Sequence, residues 1–300
     1  MNKIWRQKKM KESTGQLYKQ RILQVQMYIQ KNLDGDLSLK KLAKKSFFSE
    51  YHFHRIFRAV VGEPLKEHIR RLRLERAASD LKHTNNSIIN IAFDAGYQTH
   101  EAFTRAFGSL FGCSPSDFRS GNCVNSHHKT DAGINKSFAA DGDDYMKVEI
   151  KNIEKMRVAF VRHVGPYDQV GEAWDHLCMY LGKAGHLGSG SQFVGICYDD
   201  PDVTAPEKIR YDACITVDES FEPEADIAVQ VIGSGEYAVT THFGPYNELG
   251  KTYNKLFGQW LLSSDRQLRS EPCLEFYLND PDGTEPEDLL TDICLPLEMK

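Results

Sequence analysis

No two of the seven cysteines, at positions 113, 123, 178, 197, 214, 273 and 294, form a C-x-x-C pair. A structural zinc site usually needs that spacing, so the sequence argues against one. Their odd number in a chain of 300 residues predicts reduced thiols and a cytoplasmic setting. No uncharged stretch is long enough to cross a bilayer, so no membrane association is expected. The opening MNKIWRQKKMKESTG is basic but has no apolar run behind it and does not read as a secretory signal. No Ser/His/Asp, Cys/His or metal-ligand set stands out, and neither catalysis nor a cofactor is expected. His127 and His128 are adjacent but have no nearby partner, so they read as a solvated pair and not as metal ligands.

The charge is present but divided. Residues 1–120 carry 22 Lys and Arg against 11 Asp and Glu, and residues 121–300 carry 15 against 31. A half with net charge +11 and a half with −16 thus make up the formal −5. The basic half suits a polyanion, and the acidic half is expected to stand away from one. Three hundred residues suit roughly two domains, each with a core of its own.

The most informative stretch is residues 87–119, SIINIAFDAGYQTHEAFTRAFGSLFGCSPSDFR. Ile88, Ile91 and Ala92 repeat at helical spacing until Ala95-Gly96-Tyr97 breaks the pattern. Thr99 can cap a second helix whose inner face is Phe103 and Phe107, one turn apart. Two short helices joined by a tight turn form a unit whose second helix fits the major groove of DNA. His100, Glu101, Thr104 and Arg105 lie off the Phe face, where base edges and phosphates would be met. An earlier copy precedes it: FHRIF at 53–57 matches FTRAF at 103–107, fifty positions on. There Phe53, Ile56, Phe57 and Val60 form the inner stripe, and Tyr51, His54, Arg55 and Arg58 share the outer face. Arg is suited to bidentate contact with guanine and also to phosphate. Ahead of this copy, residues 1–14 read as a loose basic arm and residues 17–32 as a helix. Between the copies, Pro64 opens a long helix to Leu81 with Arg70, Arg71, Arg73 and Arg76 along it. These arginines suit phosphate contacts or internal ion pairs better than base reading.

Residues 17–119 resemble the DNA-binding domain of the AraC/XylS family, most specifically through IAFDAGY, FTRAF and SPSDFR. The resemblance implies an all-α double helix-turn-helix domain over 15–120. Its two recognition helices would enter successive major grooves, with centres about 34 Å apart. It also implies base contacts from Tyr51, His54 and Arg55 in the first unit, and from His100, Glu101, Thr104 and Arg105 in the second. The family often carries Trp and Gln where this chain has Tyr51 and His54, which bears on the sequence read and not on binding.

Residues 121–145 are polar and small and read as a flexible linker. Beyond them the chain repeats itself again. His163-x-Gly165-Pro166-Tyr167 returns as His242-x-Gly244-Pro245-Tyr246, and FVGICYDDP at 193–201 as CLEFYLNDP at 273–281. Each copy reads strand, helix, strand, strand, with a further strand ahead of it, which predicts a pseudo-twofold α+β domain with a cleft between the copies. The two histidines are expected to close the strand-to-helix turns. Strand parity predicts that Val194, Ile196, Tyr198, Leu274, Phe276 and Leu278 pack under the helices. The alternate face, Phe193, Gly195, Cys197, Cys273, Glu275 and Tyr277, would then line the cleft. Glu275 there stands opposite the glycine of its sister strand. A carboxylate in a partly dry cleft needs a partner, either an Arg of its own domain or a ligand cation held with Tyr277 and Trp174.

Residues 146–300 resemble the GyrI-like effector-binding domain of the Rob, SbmC and BmrR type, through the two GPY turns, CLEFYLNDP and the TDICLPL ending. The resemblance implies a duplicated βαββ (SHS2-type) fold. It also implies a site for cationic, often lipophilic molecules at Glu275, with Phe193, Trp174, Tyr211 and Tyr277 as aromatic partners. Taken together, the chain reads as a multi-domain α and α+β transcription regulator. It would bind double-stranded DNA as a monomer or weak dimer and respond to a small-molecule effector, with RNA polymerase contact as one route of control. Two alternatives stand beside this. One is a protein that sequesters drugs or toxins; the other is a GyrI-like hydrolase fused to a DNA-binding domain.

Overall fold

The computed structural model describes residues 14–123, 146–201, 204–223 and 226–299. The basic arm as far as residue 13, the linker from residue 124, and His127 and His128 lie outside the described residues.

The first part is helical: α1 (Thr14–Lys31), α2 (Leu39–Ser46), α3 (Glu50–Val61), α4 (Leu65–His83), α5 (Ile88–Asp94), α6 (His100–Phe111) and α7 (Pro115–Ser120). In α1, Tyr18, Ile22, Val25 and Ile29 recur every three or four residues and are buried. They meet Leu42 and Ala43 of α2 and Phe53, Ile56 and Phe57 of α3. Thr99 caps α6 by accepting from the Ala102 amide at 3.2 Å, and Gly112 ends the helix at φ 79°. Phe103 and Phe107 are fully buried with Phe111, Phe118, Ile91 and Ala92. Helix α4 links the two groups, placing Leu65 in the first core and Leu74, Ala77, Ala78 and Leu81 in the second. Its arginines are spent within the protein. Arg71 pairs with Glu63 and Glu75, Arg76 with Asp34 and Arg70 with Glu67, while Arg73 donates to the Leu33 carbonyl.

The second part is a single eight-stranded antiparallel sheet. Its strands are β1 (Glu149–Ile153), β2 (Met156–Val164), β3 (Phe193–Cys197), β4 (Arg210–Thr216), β5 (Ala228–Ile232), β6 (Gly235–Phe243), β7 (Cys273–Tyr277) and β8 (Leu290–Pro296). The order is β1-β6-β8-β7-β3-β4-β2-β5, so β7 and β3 form the central seam. Helix α8 (Gly171–Lys183) follows β2. Helix α9 (Leu249–Lys255), continued by a π-helical turn over Leu256–Leu261, follows β6. The turn histidines behave as expected: His163 Nε2 bonds the Pro166 carbonyl at 3.0 Å and His242 Nε2 the Pro245 carbonyl at 3.3 Å.

Three expectations need correction. The helices lie on the other face from the one parity suggested. Ala173 of α8 packs on Cys197, Tyr211 and Ala213, and Tyr253 of α9 reaches Glu275. Val194, Ile196, Leu274 and Phe276 instead meet Val158, Tyr237 and Val239 on the opposite face. Alternation separates two faces of a strand but does not say which one receives the helices, and a curled sheet can cover its own concave side. Second, the thiols are not all reduced. Cys113 and Cys123 form a disulfide across ten positions, and five described cysteines are free; the pair flanks α7, and no spacing rule singles it out. Third, the two parts do not keep wholly separate cores. Tyr253, Leu256, Phe257, Leu261, Ile293 and Leu297 share one core with α1 and α3. At the seam between the parts, a Cβ on Gly15 would fall 1.9 Å from the Leu262 carbonyl oxygen.

Candidate nucleic-acid interface and ligand site

The two outer helical faces have different fates. On α6, Phe103 and Phe107 point inward, leaving His100, Glu101 and Arg105 exposed and Thr104 at the border. The Thr104 hydroxyl has no hydrogen-bond partner. This face offers one cation, one carboxylate and an imidazole to whatever lies beside it.

On α3 the expected open face is covered. His54 is 4 % exposed and has no partner for either ring nitrogen. Burial pushes its pKa down to about 4. Tyr51 packs on Tyr198 with ring centroids 6.0 Å apart. Arg55 lies with its guanidinium 4.0 Å above the Tyr253 ring and donates to Cys273 Sγ at 3.6 Å. Arg58 is half-buried. Helical spacing sets these residues opposite the Phe stripe, and the far side of α3 also faces protein.

The ligand residues expected from sequence are brought together. Glu275 is 5 % exposed, and its two carboxyl oxygens accept from Tyr253 and Tyr277, each at 2.8 Å. Tyr277 spends its proton on Glu275, so Tyr211 donates in the 2.8 Å contact between the two hydroxyls. Trp174 Nε1 in turn donates to the Tyr211 hydroxyl at 3.1 Å. Phe193 stacks on Trp174 at 6.0 Å, completing the five named residues. Burial raises the phenols of Tyr211, Tyr253 and Tyr277 well above their ordinary value, so they remain donors. The carboxyl group is thus met by hydroxyls of the chain itself.

Gly195 is the direct cross-strand partner of Glu275. A Cβ there would meet the Tyr211 hydroxyl at 2.5 Å. The glycine therefore holds open the space through which Tyr211 reaches Tyr277. Tyr198 belongs to a separate group, donating to Asp212 at 2.8 Å beside Arg162.

Sequence reasoning missed Tyr253, Tyr167 and Tyr246. Tyr253 is the repeat counterpart of Trp174, seventy-nine positions on, and that offset would have found it. The tyrosines of the two GPY turns place rings 6.0 Å from Tyr211 and 5.3 Å from Tyr277. The sequence alone places Arg55 only on a DNA-reading face, because nothing local to it indicates a partner more than two hundred positions away.

Among the described residues, cavities that open on the surface include two that Glu275 does not line. One of about 450 Å³ lies between Gly185–Ser191 and Thr216–Asp218. A small one of about 40 Å³ lies between α3 and the sheet, bounded by Tyr51, His54, Tyr198, Asp200 and Arg210. Among the described residues, no group of three or more His, Cys, Asp or Glu could hold a metal ion, and no helix is long and apolar enough to cross a membrane.

Residues 146–298 match the sequence profile of the GyrI-like small molecule binding domain, and residues 42–121 that of a helix-turn-helix domain. The transcriptional activator AarP of Providencia stuartii is 38% identical over 98 residues, covering 33% of this chain and 73% of that protein. The regulatory protein SoxS of Salmonella typhimurium is 39% identical over 92 residues, 31% of this chain and 86% of its own length. A DNA gyrase inhibitor of Escherichia fergusonii is 32% identical over 139 residues, 45% of this chain and 88% of its own length.

Proposed function

The chain belongs to the family of the GyrI-like small molecule binding domain, here preceded by an AraC-type helix-turn-helix domain, and from that premise we propose that it is an effector-responsive, sequence-specific DNA-binding transcription regulator. The observation that carries this is α6. It buries Phe103 and Phe107 and leaves His100, Glu101 and Arg105 exposed on a short, capped helix. A helix of this kind presents its first turns to the major groove. Arg105 is the base or phosphate reader, and Glu101 accepts from a cytosine amino group or excludes a misplaced phosphate. In our reading 15–120 is a double helix-turn-helix domain, 121–145 a linker and 146–300 a duplicated βαββ domain; the mirrored strand order about the β7–β3 seam supports the duplication.

The sheet part senses a small cationic or amphipathic molecule at Glu275. A carboxyl group enclosed by Tyr253, Tyr277, Tyr211 and Trp174 favours a cation that can lie on aromatic faces. The role proposed is binding and not turnover. RNA polymerase is a partner through which such a regulator acts, and the transcriptional activator AarP is the precedent for activation.

Selection of bound sequences from a random duplex pool with the full chain tests the reading. A defined site, footprinted by wild type and lost with Arg105→Ala, is expected. Enrichment of no sequence above background would overturn it.

A further inference from the structure

The first reading helix is not idle in this structure. Its Arg55 reaches the sheet part, over an aromatic ring whose hydroxyl donates to Glu275. Arg55 places its guanidinium 4.0 Å above Tyr253, the residue that donates to Glu275 Oε1. It also donates to Cys273, which is two residues from Glu275 on the same face of β7. Phe257 lies 5.7 Å away on the same side. The dock extends past Arg55. Tyr51 rests on Tyr198, His54 is sealed off, and His52 Nε2 bonds the Arg269 carbonyl at 3.1 Å. With Tyr51, His54 and Arg55 covered, α3 cannot enter a groove while it holds this position.

We infer that Arg55 is the resident cation of the effector site, and that effector and first reading helix exclude one another there. This rests on the ligand and DNA readings above. The arrangement described is a closed form, with α6 open and α3 withheld. Its occupant also indicates the chemistry of the effector. A flat, delocalised cation of the guanidinium or amidinium kind can replace a guanidinium over Tyr253, whereas a compact ammonium cannot reproduce that stacking. A molecule that takes the place of Arg55 binds only the form in which α3 has left, and so shifts the population toward that form. By reciprocity, a duplex that engages α3 must raise affinity for the effector by the same factor.

Calorimetric titration of the full chain with benzamidinium tests this. Arg55→Ala vacates the site and is expected to bind benzamidinium at least about tenfold more tightly than wild type, which corresponds to the 1.4 kcal/mol of a tenfold equilibrium. Adding Glu275→Gln to it should remove the gain. Equal affinity of wild type and a folded Arg55→Ala overturns the plug while leaving the effector site intact. Failure of both to bind overturns the effector site and the plug together. A second arm needs no ligand. Tyr253→Leu removes the platform under Arg55 and should strengthen binding to the selected duplex severalfold in the absence of effector, with a second half-site newly protected in footprints. Unchanged or weaker binding, with the footprint still confined to the α6 half-site, overturns the withholding of α3. Should Tyr253→Leu fail to fold, wild-type footprints with and without saturating benzamidinium give the same reading.

Discussion

Gly195 faces Glu275 across the β3–β7 seam, and its missing side chain admits the Tyr211 hydroxyl to the chain of donors that ends on that carboxyl group. Three residues far apart in sequence are fixed by one absent methyl.

Gly195→Ala should therefore be costly. The new Cβ would meet the Tyr211 hydroxyl at 2.5 Å and its ring carbons at 2.9 Å, and the ring cannot give without leaving Tyr277. Overpacking of this kind costs about 1–3 kcal/mol. Urea unfolding should show that loss, and cation binding should fall with it. A variant as stable as wild type and binding as well would show that Tyr211 has room.

Arg105→Ala should leave stability unchanged, since the side chain is exposed. It should weaken specific DNA binding by about 1–3 kcal/mol, measured as the ratio of affinities for the selected site and a scrambled duplex. Phe103→Ala, two positions earlier and fully buried, should instead cost about 3–5 kcal/mol of stability. If Arg105→Ala weakened both duplexes alike, Arg105 would be a phosphate contact only.

Acid should loosen the protein at the α3 dock. Burial holds both His52 and His54 at about 4, below their ordinary value. As pH falls below about 6.5, the unfolded chain takes up these protons before the folded one, so stability declines until about pH 4 and then levels. Each buried histidine can contribute up to about 3 kcal/mol over that window. Unfolding midpoints at pH 7.5 and 5 should differ accordingly, and His54→Phe should flatten the dependence. An unchanged slope in that variant would mean that His54 titrates normally.

Reduction of Cys113–Cys123 should lower stability, because the bond closes a short loop around α7. Loops of this size are worth about 2–3 kcal/mol in the unfolded chain. Thermal melts with and without reductant test this, using Cys123→Ser as the control that should show no dependence on reductant.

Much of the architecture could be read directly. The Phe103/Phe107 stripe, the Thr99 cap and the Gly112 stop are local signals, and local signals decide where a helix begins, ends and faces. The repeat in the sheet part is equally plain: with strand parity it singles out Phe193, Glu275 and Tyr277, while Tyr211 comes only from the family resemblance. Tyr253 is legible only as the counterpart of Trp174, since a tyrosine on a helix carries no signal until its hydroxyl has a partner.

What the amino-acid sequence determined by itself was periodicity and repetition: which residues share a face, which segments are copies, and which glycine opposes which glutamate. What only the tertiary structure decided was the partner of each face. It set the helices against the Glu275 side of the sheet and bonded Cys113 to Cys123. It also turned Arg55 away from solvent and onto Tyr253. The physical reason is that alternation and helical spacing are properties of neighbouring residues. The choice between two packings of a finished face depends on surfaces that meet only after the chain has closed on itself.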